Sequence, residues 1–288
     1  MNKHIKKALP LLVGKHLELL FFFNKQKALV QAFTFFCTPR KGRVLPEQEH
    51  FLEEAFDDIL HIEDLKIQSY SWPNHNKETI LLVHGWESNT YRWKPLIELL
   101  HAQGYTILSL DAPAHGYSSG KQFNIPLYAA CMDLIIQKHK PTYIIGHSIG
   151  GMTTLYSQYK FSYPFIQKII ALAPPSELQG LLSHFQNTLK LSDKFIKELD
   201  TYFKREFGFF SHEFSIANYV KDIDTPGLLI HDAYDDITPY SEALKISKSW
   251  KGVSFITTQN YGHSLFFEEV NEMILHFLKN KHSHNSNT

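Results

Sequence analysis

The strongest constraint on this chain is a repeated alternation. From residue 79 onward, short aliphatic runs (TILLV, YTILSL, TYII, KIIAL, GLLI, VSFITT) are separated by stretches with helical spacing, such as RWKPLIELLHAQG, LYAACMDLIIQKHK and FFEEVNEMILHFLKN. Strands apolar on both sides need cover on both faces, and parallel neighbours need a long crossover, usually a helix. The pattern therefore predicts an α/β fold: a mostly parallel sheet with helices on both faces. DLKIQSYSW alternates and adds a strand ahead of the series. Before it, EQEHFLEEAFDDIL places Phe51, Leu52, Ala55, Phe56 and Ile59 at helical spacing, predicting a helix from Glu47 to Leu60.

The alternation stops between Pro174 and Asp224. Helix-like stretches here carry Phe185, Leu189, Phe195, Leu199, Phe203 and Phe207. A connection this long inside a compact domain is usually functional, and it is read as an inserted helical cap. The expected organisation is an N-terminal helical extension over 1–60, a core over 61–173 and 225–280, a cap over 174–224, and a frayed tail over 281–288.

Lysine plus arginine and aspartate plus glutamate both total 29, so the chain has no charge excess that would favour nucleic acid. Two cysteines, Cys37 and Cys131, are too few for a disulfide framework. In the N-terminal stretch Lys15, His16 and Glu18 interrupt the apolar run, which argues against a signal peptide or a membrane-spanning helix. The expected location is cytoplasmic. The alternative for this stretch is a helix lying on a membrane surface, because Leu17, Leu20, Phe21 and Phe23 sit among lysines. The basic cluster Arg40, Lys41 and Arg43 is read as a solvated loop, with contact to an anionic surface or partner as its alternative.

In a parallel sheet, ligands bind beyond the carboxyl ends of the strands. Each strand is followed there by polar or glycine-rich residues: His84-Gly85-Trp86, DAPAHGYSSG, Gly146-His147-Ser148-Ile149-Gly150, HDAYDDITP and QNYGHSLFF. A serine flanked by glycines two positions away, between strand and helix, is a nucleophile elbow. Ser148 needs a base. His263 follows the last strand at the same edge and is the candidate, even in a chain with 17 histidines. A carboxylate should orient the imidazole. Asp232 directly follows its strand, close to the sheet. Asp235, a few residues out, is favoured, with Asp236 next.

With these residues in order, the chain resembles the α/β-hydrolase superfamily over roughly Ile62 to Lys279. The resemblance implies the order nucleophile, acid, base for Ser148, Asp235 and His263. It also implies that the backbone N–H groups of Trp86 and Ile149 form the oxyanion hole. DAPAHGYS is similar to the family's D-x-R-G-x-G-x-S loop, with Pro113 and Ala114 in place of Arg-Gly; Asp111 and His115 are read as structuring that loop. The expected activity is hydrolysis of a carboxylic ester or thioester of a small acyl substrate. Trp86, Phe185 and Phe203 are the expected apolar contacts. Serine aminopeptidases and carbon–carbon bond hydrolases use the same triad and remain alternatives. A non-catalytic binding protein would be signalled by a lost triad member, and none is lost. No metal or cofactor is expected, because no ligand-spaced cysteine or histidine pair stands out.

Overall fold

The computed structural model describes residues 3–74 and 78–280, with side chains from residue 9 onward. The expected frayed tail, 281–288, lies outside the described residues. The chain opens with a helical hairpin, α1 (Lys3–Phe23) and α2 (Lys25–Cys37), then α3 (Pro46–Glu53). Strands β1 (Phe56–Ile62) and β2 (Leu65–Trp72) follow. The alternating part comprises β3 (Thr79–Val83), α4 (Lys94–Ala102), β4 (Thr106–Leu110), α5 (Ile125–His139), β5 (Tyr143–His147), α6 (Ile149–Phe161) and β6 (Lys168–Leu172). Next come α7 (Leu178–Leu189), α8 (Asp193–Phe207) and the short α9 (Ile216–Tyr219). The chain returns through β7 (Gly227–Asp232), α10 (Tyr240–Ser249), β8 (Val253–Thr258) and α11 (Glu268–Lys279).

The eight strands form one sheet in the order β1-β2-β4-β3-β5-β6-β7-β8. All neighbours from β4 to β8 pair in parallel, while β1–β2 and β2–β4 are antiparallel. Strand periodicity splits the core in two. Leu81 and Val83 join the cluster containing Met132, Ile135 and Leu155 of α5 and α6. Ile80 and Leu82 join the opposite cluster, with Leu96, Leu100 and Ile274 of α4 and α11. This is the two-faced cover that apolar parallel strands require.

Two expectations about the first sixty residues change. The helix expected to run to Leu60 ends at Glu53, and Phe56–Ile62 is strand β1 at the sheet edge. Its backbone pairs with β2 over the full length, from Phe56–Ser71 to Ile62–Leu65. Sheet hydrogen bonding there outweighs the helical spacing of the side chains.

Secondly, the hairpin is built into the fold. Leu17 is fully buried, and the Phe21 ring lies 4.7 Å from that of Phe195. So Leu17, Leu20 and Phe21, which the alternative of a membrane-surface helix would have turned outward, turn inward; Phe23 alone of that set is exposed. Gly14 permits the approach of α1 to α7, since a methyl group there would overlap the Leu189 carbonyl. The Glu18 carboxylate accepts the Ser192 N–H, just ahead of α8. Phe33 and Phe36 of α2 cover Phe203 of α8. The segment after α2 continues to the sheet's carboxyl edge. There the Arg40 N–H donates to Glu87, and the Arg43 guanidinium donates to the carbonyls of Gly116, Ser118 and Gly120. Arg43 thus holds a loop in place, where the sequence suggested a solvated loop or, as its alternative, an anionic contact.

Leu17 tests whether the hairpin is part of the cooperative unit. Leu17→Ala should lower unfolding free energy by about 2–5 kcal/mol in urea titration, the usual cost of emptying a buried leucine site. A change below about 0.5 kcal/mol, the range of surface substitutions, would show the hairpin to be a dispensable appendage.

Candidate active site

Ser148 sits between the last residue of β5 and the first of α6, with φ 55° and ψ −126°. This region is unfavourable for a side chain, at a cost of order 1–3 kcal/mol. Neighbouring contacts impose it. A methyl group at Gly146 would lie 2.6 Å from the Gly150 carbonyl oxygen, and one at Gly150 would overlap the carbonyl oxygens of Val83 and His84. Only glycine fits either site. The Ser148 N–H donates to the Leu172 carbonyl at 2.8 Å, locking the turn onto β6.

Ser148, His263 and Asp235 lie in one hydrogen-bonded line. His263 Nε2 is 2.9 Å from Ser148 Oγ, and Nδ1 is 2.8 Å from Asp235 Oδ2. A carboxylate only accepts, so Nδ1 carries the proton and Nε2 offers its lone pair to the serine hydroxyl. Asp235 is buried, and its other oxygen accepts the N–H groups of Ile237 and Thr238, each at 2.9 Å. Burial alone would raise its pKa. Hydrogen bonds from His231, His263 and the Thr238 N–H overcome that and hold the carboxyl well below the usual range.

The other two carboxylates of this loop differ. Asp232 accepts from Tyr234 N–H, Thr258 Oγ1 and Tyr261 N–H, and so ties β7 to the loop after β8. Asp236 is exposed.

Three further histidines shape the site; of these, sequence reasoning gave only His115 a structuring role, on its own loop. His84 is fully buried. Its Nε2 accepts the Ala112 N–H at 2.9 Å, so Nδ1–H donates to the Gly85 carbonyl at 2.8 Å. In a planar trans peptide the N–H points opposite the C=O. His84 therefore fixes the direction of the Trp86 N–H.

His115 accepts the Glu87 N–H at 3.0 Å and lies 2.9 Å from the Pro113 carbonyl, pinning the same loop one residue further on. Its partner on that loop, Asp111, accepts from Thr90 N–H, Tyr70 Oη and Tyr117 N–H.

His147 stands inside the elbow. Its Nε2–H donates to the His263 carbonyl at 2.8 Å, while Arg92 donates to the next carbonyl, Ser264, at 2.9 Å. The only hint in the sequence was position: His84 and His147 are immediate neighbours of the glycine-rich turns.

Burial pushes His84 and His115 down to about 4, and His147 falls well below its ordinary range for the same reason. All three are neutral, and His84 and His115 need that state because each accepts a backbone N–H.

Ile149 opens α6, where the N–H has no intrahelical acceptor. Trp86 is half-buried, edge-to-face with His115 and Phe123. Phe203 does not meet the expectation of a substrate contact. It is enclosed by Phe33, Phe36 and Phe207, so its ring packs the helical insertion onto α2. Phe185 is half-buried, with its ring T-shaped against Phe36. Among the described residues no group of three or more His, Cys, Asp or Glu side chains is placed to hold a metal ion.

Residues 80–273 match the alpha/beta hydrolase family, and the chain belongs to it. A Drosophila melanogaster protein named "Probable serine hydrolase" is 31% identical over 140 residues, 45% of this chain and 41% of that protein. The chain thus spans about two fifths of that relative's length. A Mycoplasma pneumoniae protein whose name places it among esterases and lipases is 21% identical over 251 residues, 73% of this chain and 93% of its own. An esterase from Exiguobacterium antarcticum shares the fold with a TM-score of 0.62 at 16% identity, covering 78% of this chain and all (100%) of that one.

The depressed histidines give the fold a pH signature. An unconstrained histidine titrates near 6.5, and His84 and His115 near 4 when folded. Keeping them neutral therefore contributes fully above about pH 6.5 and is lost as pH falls towards 4. Between pH 7 and 5 each should cost about 2 kcal/mol of unfolding free energy, measured by urea titration at several pH values. A flat stability profile across that range would contradict their placement.

Proposed function

We propose that the protein is a serine hydrolase that cleaves a carboxylic ester or thioester through an acyl-enzyme on Ser148. The observation that carries this reading is the line Asp235–His263–Ser148, in which the imidazole already has the tautomer of a general base. In this mechanism Ser148 Oγ attacks the carbonyl carbon while His263 Nε2 takes the hydroxyl proton. The imidazolium that forms is stabilised by Asp235, whose depressed pKa keeps it charged. The N–H groups of Trp86 and Ile149 receive the negative charge on the carbonyl oxygen, each contributing roughly 3 kcal/mol to lowering the barrier. His263 then protonates the leaving alcohol or thiol, and an activated water releases the acid.

Trp86 and Phe185 are the aromatic groups assigned to the acyl or alcohol portion, with α7 to α9 acting as a cap over the site. Both cysteines are free and buried, which suits a reducing compartment and supports a cytoplasmic reaction.

The test is turnover of p-nitrophenyl esters by three variants of the full chain. Ser148→Ala should lose nearly all activity with its melting curve unchanged. Asp235→Asn should lose about ten-thousandfold, the effect of the equivalent change in the best-studied serine hydrolase, while the exposed Asp236→Asn keeps wild-type turnover. Undiminished activity in Ser148→Ala, or the reverse ranking of the two aspartate variants, would overturn the assignment.

A further inference from the structure

The α1–α2 hairpin spends one face on the fold and leaves the other bare. The inner face carries Leu17, Phe21, Phe33 and Phe36, packed on α7 and α8. On the outer face of α1, helical spacing lines up Leu12, Lys15, His16, Leu19, Phe22 and Phe23. Of these Phe22 is 83% exposed, Phe23 75%, Leu12 62% and Leu19 61%. The two phenylalanines stand edge-to-face at the hairpin turn, with ring centroids 5.2 Å apart. Val30 and Phe35 of α2 are exposed as well. Exposed apolar side chains in such a run mark an interaction surface.

Charge says what kind. Residues 1–37 carry six lysines and one glutamate, in a chain whose formal net charge is zero. The one glutamate, Glu18, is engaged with the Ser192 N–H. Lys15 and Lys27 are exposed, and among the described residues neither has an ion-pair partner. Apolar side chains flanked by unpaired lysines match the interface of an anionic bilayer, which takes the rings into the headgroup region and the ammonium groups onto phosphates. A symmetric contact between two copies would bring these like-charged hairpins together. No described helix is long and apolar enough to cross a membrane, so the contact is lateral.

We propose that the outer face of the α1–α2 hairpin docks the protein on an anionic lipid surface. The contact is independent of the chemistry at Ser148, and the two can fail separately.

Vesicle flotation of the full chain tests it, with phosphatidylcholine vesicles with and without phosphatidylglycerol, at low and high salt. The wild type should float with the anionic vesicles at low salt and be released by salt. Lys15→Gln with Lys27→Gln should weaken partitioning about 25-fold, since one lysine near an anionic surface contributes about fivefold. Phe22→Ser with Phe23→Ser should weaken it about tenfold or more for each ring. Both double variants should keep wild-type turnover of a soluble ester and a wild-type melting curve, whereas Ser148→Ala should float as the wild type does. Absence of flotation at low salt, or equal flotation on both vesicles untouched by the lysine changes, would overturn the proposal. So would self-association in sedimentation velocity that the phenylalanine changes abolish, which would give the face to a second copy.

Discussion

The site depends on one close approach of backbone to backbone. At Ser148 the chain leaves β5 and enters α6 through a turn with φ 55°, and it can do so only because no side chain at 146 or 150 intervenes. That turn lifts the hydroxyl off the sheet and presents the first N–H of α6 beside it. It also presses Gly150 against the backbone of Val83 and His84, so the elbow and the loop after β3 are set by one contact. The strain is sustained by a sheet buried on both faces, which cannot yield without opening both core clusters.

Around this turn the loops are held by buried neutral imidazoles and one arginine. His84 orients the Gly85–Trp86 peptide, His115 holds the next N–H, and His147 and Arg92 grip consecutive carbonyls of the loop that carries His263. Each joins segments far apart in sequence. His263 is thereby positioned from two sides, through its own imidazole and through its backbone. At His84 and His115 a buried neutral imidazole suits this work because it donates from one nitrogen and accepts at the other without carrying charge.

Much of this was legible in the chain because it is local. Apolar runs of four to six residues became β3 to β8, and the glycines of the elbow announced the turn. The loop between β7 and α10 offered three carboxylates, and reach from the strand end was enough to favour Asp235. What escaped was tertiary. FDDILHI has both helical and strand character, and only pairing with β2 decides between them. The apolar residues of α1 were visible, but which of them turn inward depends on α7 and α8, so Leu17 and Phe21 seemed as available as Phe23. For the same reason Phe203 looked open to substrate until α2 was seen to cover it. His84 and His147 were hidden by number: with 17 histidines in the chain, nothing in the sequence separates these two, which position loops, from those on the surface.

The central claim is that one hydroxyl, on Ser148, carries the chemistry. Labelling with a fluorophosphonate, followed by peptide mapping and residual turnover, tests it most directly. The account requires a single phosphonyl adduct on the peptide containing Ser148, with ester turnover falling in proportion to the fraction labelled. Loss of turnover with the adduct on a different residue, or full turnover with Ser148 fully labelled, would contradict it.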